Sequence, residues 1–137
     1  MSIQIGDKIP ASTLNILKDG VQAVNTDEVF KGRKVVLFSV PGAFTPTCSA
    51  KHLPGYVEKL GEFKARGIDV ACMAVNDAFV MSAWGKQQNV PEELHMLADG
   101  NGAFADAMGL KFDASAFGMG NRAKRFALYA EDGVVKV

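Results

Sequence analysis

The chain has 137 residues, with fifteen basic side chains matched by fifteen acidic ones, and 48% of it is hydrophobic. That length suits one domain, residues 1–137, around one core, and the apolar share excludes a disordered chain. No basic excess is available for phosphate contacts, so no nucleic-acid partner is expected, and no apolar run approaches the roughly 20 residues of a membrane span.

The opening "MSIQIGDKIP" has neither a charged region followed by an apolar stretch nor an Arg-rich character. It does not read as a secretory or transit signal, so a reducing, cytoplasmic setting is expected. There the two cysteines, Cys48 and Cys72, are expected to be free or catalytic rather than a staple. "STLNILKDGVQAVNT" predicts a β-hairpin about Lys18, Asp19 and Gly20, because Asp-Gly adopts the turn geometry that joins adjacent strands. "TDEVFKG" predicts one helical turn capped by Thr26 and ended by Gly32. "KVVLFSV", residues 34–40, is apolar almost throughout, as a strand buried on both faces should be.

Residues 47–66 follow with Leu53, Val57, Leu60 and Phe63 at helical spacing and most charges elsewhere on the wheel. Pro54 removes a helical hydrogen bond, so a kink is expected there, with Cys48 in the first part. "IDVACMAV" predicts a second buried strand. "DAFVMSAWGKQQ" predicts a helix with Asp77 as its cap. "LHMLAD" predicts a third strand, and "NGAFADAMG" a short helix closed by Gly109. "KRFALYAEDGVVKV" predicts a hairpin about Glu131, Asp132 and Gly133. Strands alternating with helices, then a terminal hairpin, give an α/β fold with a mixed central sheet flanked by helices. The final strand is short, so one sheet edge and one sheet face are expected to be poorly covered, where a closing helix would normally lie.

"VPGAFTPTCSAKH", residues 40–52, carries the chemistry. Cys48 leaves a buried strand and enters the first turn of a helix. Unpaired N–H groups and the helix dipole there favour a thiolate. Pro41 ends the strand, Thr45 can cap the helix or bond the sulfur, and Pro46 fits the first turn. Position alone balances an inert buried thiol evenly against a nucleophile. "CSAK" contains no second cysteine, which excludes a CxxC exchange pair. His52 lies four residues on, so a Cys–His nucleophile is a weaker reading, since neighbours on one helix seldom aim at one reacting atom. Cys48, His52, Cys72 and His95 lack the C-x2-C spacing of a zinc site, so no metal is expected. "GMGNR" lacks the third glycine of a dinucleotide fingerprint, so no organic cofactor is expected either.

Pro41, Thr45 and Cys48 together spell P-x-x-x-T-x-x-C, which resembles the active-site motif of the peroxiredoxins. "VPGAFTPTCSAKHLPGY", "VNDAFVMSAW", "LADGNGAF" and "FGMGNRAKRFALYAEDGVVK" resemble the type II, peroxiredoxin-five-like branch across nearly the whole chain. The resemblance implies a thioredoxin-like fold and a thiol peroxidase acting on hydrogen peroxide and organic hydroperoxides. Cys48 would be the peroxidatic cysteine. Thr45 would hydrogen-bond the sulfur and peroxide, Pro41 would shield the pocket, and Arg125 would be the active-site arginine. Arg122 lies in the glycine loop, so Arg125 is preferred. If the thiol pKa falls from ~8.5 to ~6, the thiolate fraction at pH 7 rises about thirtyfold. The rest of the acceleration must come from donors aimed at the breaking O–O bond.

Cys72 is the candidate resolving cysteine. It sits mid-strand among apolar residues, which favours one-cysteine turnover with glutathione, glutaredoxin or thioredoxin as reductant. Family members commonly dimerise through active-site loops, and Phe44, Phe79 and Phe117 are the candidates for a homodimer interface or hydrophobic collar. Members of the branch also continue beyond the position of Lys136 into more strand and a final helix. The competing reading is a peroxide-sensing or chaperone-like protein in which Cys48 oxidation changes assembly.

Overall fold

The computed structural model describes residues 2–45 and 53–137. The predicted hairpin forms from β1 (Thr13–Leu17) and β2 (Val21–Asn25), with Thr13 opposite Asn25 and Leu17 opposite Val21. Asp19 and Gly20 take φ of 54° and 97°, the left-handed conformations that the Asp-Gly pair supplies. α1 (Thr26–Phe30) follows. Thr26 does not cap it: Asn25 is the cap residue, and the Thr26 hydroxyl donates to the Pro10 carbonyl (2.9 Å) and accepts from the Ser12 N–H (3.1 Å). The hydroxyl therefore holds the incoming segment, a tertiary use that local propensity does not encode.

β3 (Lys34–Ser39), β4 (Asp69–Ala74) and β5 (Leu94–Ala98) are parallel neighbours. α2 (Leu53–Ala65) and α3 (Ala78–Gln87) belong to their crossovers, and α4 (Ala103–Ala107) follows β5. Asp77 caps α3, its carboxylate accepting from the Val80 N–H at 2.8 Å. Pro54 is the second residue of α2 as described. The kink expected there involves residues 46–52, which lie outside the described residues. β6 (Lys111–Asp113) and β7 (Asn121–Ala123) form a separate antiparallel ribbon, with a 3-10 turn at Ser115–Phe117 between them. β8 (Phe126–Glu131) runs antiparallel to β3, and β9 (Val134–Val135) completes the hairpin. The sheet order is β2-β1-β5-β4-β3-β8-β9, an α/β, thioredoxin-like arrangement with a mixed central sheet and an N-terminal hairpin.

The two faces of the sheet build two cores. Val35, Leu37, Ala71, Met73 and Leu97 pack with α1 and α4 through Phe30 and Phe104. Phe38, Val70, Cys72 and Ala98 pack with α2 and α3 through Leu53, Leu60, Met81 and Trp84. The period of two survives in strands whose faces are both apolar, so each helix pair has its own set of partners. Burying a large side chain of this kind contributes about 1.5–3 kcal/mol. Tyr56 lies flat on Phe38, with centroids 4.0 Å apart and 4° between planes, which docks α2 on β3.

The expected open edge is covered. The Gly6 N–H donates to Val135 (2.8 Å), Val135 to Asp7 (2.9 Å) and Ile9 to Gly133 (2.7 Å), so the N-terminal segment pairs with β9. Backbone donors recruit this cover, and no side-chain pattern announces it. The face expected to be thinly covered is so at β8, where Ala127 is exposed and Tyr129 half-buried beside half-buried Val36.

Ser39 is fully buried at the end of β3, and its hydroxyl has no hydrogen-bond partner among the described residues. A buried, unmade hydrogen bond costs about 1–3 kcal/mol. Ser39→Ala is therefore expected to leave stability unchanged or raise it by about 1 kcal/mol, measured as an increase in the urea midpoint at constant slope. A fall in the midpoint would show that the hydroxyl is satisfied.

Candidate active site

The sheet topology selects one end of the molecule. From β3 the chain crosses to β4 and then β5 on one side, and β8 later pairs on the other. In open α/β sheets a crevice forms beyond the carboxyl ends of the strands where the connections diverge. The segment leaving β3 there is residues 40–45. It begins with the Val40 N–H donating to the Met73 carbonyl (3.1 Å), then turns at half-buried Pro41.

The loop is held from outside by the end of β4 and by the segment carrying Met119 and Arg122. The Asn76 side-chain oxygen accepts from the Ala43 N–H at 2.9 Å. Gly42 is buried against neighbours on three sides. A Cβ there would lie 3.1 Å from the Met119 methyl, 3.2 Å from Thr45 Cγ2 and 3.4 Å from Arg122 Nη1. Phe44 stands at φ 64°, a left-handed conformation that an aromatic residue adopts only when the surroundings impose it, at a cost of order 1–3 kcal/mol. The residue is 48% exposed.

Thr45 is half-buried, and its hydroxyl donates to the Gly42 carbonyl at 2.7 Å. That bond uses the hydroxyl's one proton and leaves its lone pairs for a ligand. In this geometry Thr45 is left as an acceptor toward a ligand. Cys48, with Pro46, Thr47 and His52, lies outside the described residues. Arg125 is exposed and immediately precedes β8, whose first residue, Phe126, pairs with Ser39. Arg125 therefore stands at the same end of β3 as Pro41 and Thr45.

The three exposed phenylalanines stand on segments at this end. Phe44 is in the loop after β3. Phe79, 62% exposed, is in the first turn of α3, which follows β4. Phe117, 80% exposed, belongs to the β6–β7 excursion whose Met119 reaches Gly42. Cys72 is separate: it is fully buried in the middle of β4, between Phe38 and Met96 across the sheet, on the α2/α3 side. His95 pairs with Ala71, one residue out of step with Cys72, so the two point to opposite faces. Among the described residues, no three His, Cys, Asp or Glu side chains are grouped to hold a metal ion, and no helix is long and apolar enough to cross a membrane.

Sequence reasoning missed Asn76 and set Arg122 aside. Asn76 stands immediately before the cap residue Asp77, where a side-chain amide reads as an ordinary part of the turn. Its partner Ala43 is 33 positions away.

The family model described as Redoxin matches residues 4–137. Chloroplastic peroxiredoxin-2E of Arabidopsis thaliana is 50% identical over 142 residues, covering 99% of this chain and 61% of that protein. Reduced Prx3 from Vibrio vulnificus, solved in complex with hydrogen peroxide, superposes with a TM-score of 0.93 at 49% identity, covering 98% of this chain and 85% of that one. Peroxiredoxin 5 from Alvinella pompejana superposes with a TM-score of 0.90 at 38% identity, covering 98% and 87%. The chain belongs to the peroxiredoxins, in their type II, peroxiredoxin-five-like branch.

Asn76→Ala leaves the half-buried Ala43 N–H without its acceptor. The expected loss is about 1–2 kcal/mol, read from the urea midpoint, with Asn76→Asp losing less because a carboxylate still accepts. Equal losses in the two variants would show that the bond contributes nothing.

Proposed function

We propose that this peroxiredoxin chain is a thiol-dependent peroxidase that reduces hydrogen peroxide and organic hydroperoxides in antioxidant defence. The observation that carries the reading is the braced loop at the carboxyl end of β3, which holds Pro41 and Thr45 and runs into Cys48 three residues later. The Cys48 thiolate attacks the hydroxyl-bearing oxygen of ROOH. The S–O bond forms as the O–O bond breaks, leaving Cys48 sulfenic acid and RO⁻, which is then protonated. Thr45 accepts a hydrogen bond from the peroxide O–H, which fixes the orientation of the oxygen under attack. Arg125 donates to the oxygens as negative charge develops on the leaving group, where a donor acts most strongly. Pro41 shields the pocket from water.

The sulfenic acid must be reduced before further oxidation traps it. A thiol condenses with it to a mixed disulfide and water, and a second thiol releases Cys48 and the oxidised reductant. Glutathione, alone or with glutaredoxin, supplies those thiols in this reading, and thioredoxin is the other candidate. Cys72 is a poor partner because its sulfur is buried in β4. A disulfide requires Cα atoms within about 7 Å, so bridging would require a core strand or its surroundings to open. The reading includes a reducing cytoplasmic setting and a homodimer whose interface buries Phe44, Phe79 and Phe117, which are otherwise an unusual density of exposed aromatic surface.

Cys48→Ser is expected to abolish peroxide consumption, and Thr45→Val to lower its second-order rate about 10²-fold, the usual effect of removing one orienting partner at a reacting oxygen. Stopped-flow measurements of peroxide loss check both. One oxidation per chain without turnover in glutathione would favour a sensor instead. Cys72→Ser is expected to retain oxidation of Cys48 and its recycling by glutathione, read by intact-mass spectrometry. Loss of recycling with Cys48 oxidation intact would assign resolution to Cys72.

A further inference from the structure

Arg122 lies in the segment "GMGNR", which reads as a glycine-rich loop with no assigned task. Gly118 and Gly120 take φ of 71° and 66°, which lets the segment fold back after the 3-10 turn. β7 then pairs with β6, Arg122 opposite Phe112, and the Lys124 N–H donates to the Leu110 carbonyl at 2.7 Å. The backbone of Arg122 is thus anchored to a ribbon before its side chain reaches anything.

The half-buried side chain closes its own loop and reaches one further segment. Its Nε donates to the Met119 carbonyl at 2.8 Å, and its Nη1 to the Val75 carbonyl at 3.0 Å. Val75 is the residue before Asn76, which holds the Ala43 N–H. The same Nη1 lies 3.4 Å from where a Gly42 Cβ would stand, and the Met119 methyl 3.1 Å from it. Three pieces of chain therefore meet at Gly42: the loop after β3, the end of β4 and the glycine loop. None of the ion pairs among the described residues includes Arg122. Two backbone carbonyls from different segments accept from it.

We infer that Arg122 is a positioning residue that clamps the Thr45 loop, acting through Val75, Asn76 and Gly42 rather than by touching the peroxide. A planar guanidinium presents donors in a fixed fork, and Nε and Nη1 here serve carbonyls 44 positions apart in the chain (Val75 and Met119). A lysine ammonium keeps the charge but has no fork, so it cannot hold both at this spacing. Charge and clamp can thus be separated by one substitution. The catalytic part of this inference rests on the peroxidase reading. The structural part does not.

The experiment compares wild type, Arg122→Lys and Gly42→Ala. Amide exchange at Ala43 is expected to accelerate about tenfold or more in Arg122→Lys while β3 and β4 amides keep their wild-type rates, since a loop opens locally without global unfolding. The rate of Cys48 oxidation by hydrogen peroxide is expected to fall 10- to 100-fold, because small misplacements of orienting groups have effects on the order of 10². Alkylation of Cys48 by iodoacetamide, which needs the thiolate but no oriented peroxide, should stay within about twofold of wild type. Gly42→Ala, which crowds the clamp and leaves Arg122 in place, should show the same signature. Unchanged Ala43 exchange in both variants overturns the inference, and so does acceleration shared by the core strands. If wild type consumes no peroxide but Arg122→Lys still loosens Ala43, the peroxidase reading falls and the clamp stands.

Discussion

β3 is the strand on which the molecule turns. It pairs with β4 in parallel on one edge and with β8 antiparallel on the other, and apolar layers cover both of its faces. Val35 to Ser39 have strand partners on both sides, and four of the strand's six residues are buried. Such a strand cannot be displaced without breaking both sheet pairings and both cores. Whatever leaves its carboxyl end is anchored to the least mobile part of the fold. Parallel pairing on one side only also makes this the point where connections diverge, so a crevice forms there by topology before any side chain is chosen.

The loop beyond β3 trades that rigidity for a less favourable local conformation. An aromatic residue at φ 64° and a glycine with contacts on three sides are not arrangements that local propensity prefers. They persist because Asn76, Arg122 and Met119 impose them from outside the loop. The Thr45 hydroxyl is part of the same arrangement, since its bond to the Gly42 carbonyl closes the turn and decides which way its lone pairs serve. The result is the usual division between a rigid scaffold and a functional loop, with the strain located in the loop. Phe44, on this loop, stays exposed while the loop is held through Ala43 and Gly42.

Most of the scaffold was legible in the sequence because one physical signal dominated each element. Apolar runs marked β3, β4 and β5, Asp-Gly marked both hairpins, and Asp77 marked the start of α3. The failures have a common cause. β6 and β7 are three residues each and carry no alternation, so only their mutual pairing defines them. Thr26 looked like a cap because Ser, Thr and Asp residues before a helix often are, and a contact with Pro10 and Ser12 outweighed that preference. The cover over β9 is made by backbone groups of residues 6–9, which have no side-chain signature. For the site, the P-x-x-x-T-x-x-C spacing located the loop, and pattern matching chose Arg125 over Arg122. The structure keeps Arg125 at the expected end of β3 and gives Arg122 a distinct task. That task depends on distances across 47 positions, which a motif cannot carry.

The fold explains why Cys72 stands apart from the loop beyond β3. Cys72 lies in the middle of a strand flanked by two others, packed with Phe38, Trp84 and Met81. Its sulfur is fully buried among apolar side chains. Burial first, and nearby Cys72 second, hold the Tyr56 hydroxyl above the usual phenol range. Tyr56 stacks on Phe38 and docks α2 on β3, and the raised value keeps its phenol neutral in that contact. Buried Cys72 is thus part of the packing that holds α2, which begins five residues after Cys48 in the sequence. In the proposed one-cysteine cycle this packing is left undisturbed, because Cys72 takes no part in it. A cycle that drew in Cys72 would have to open the core that seats α2 on β3.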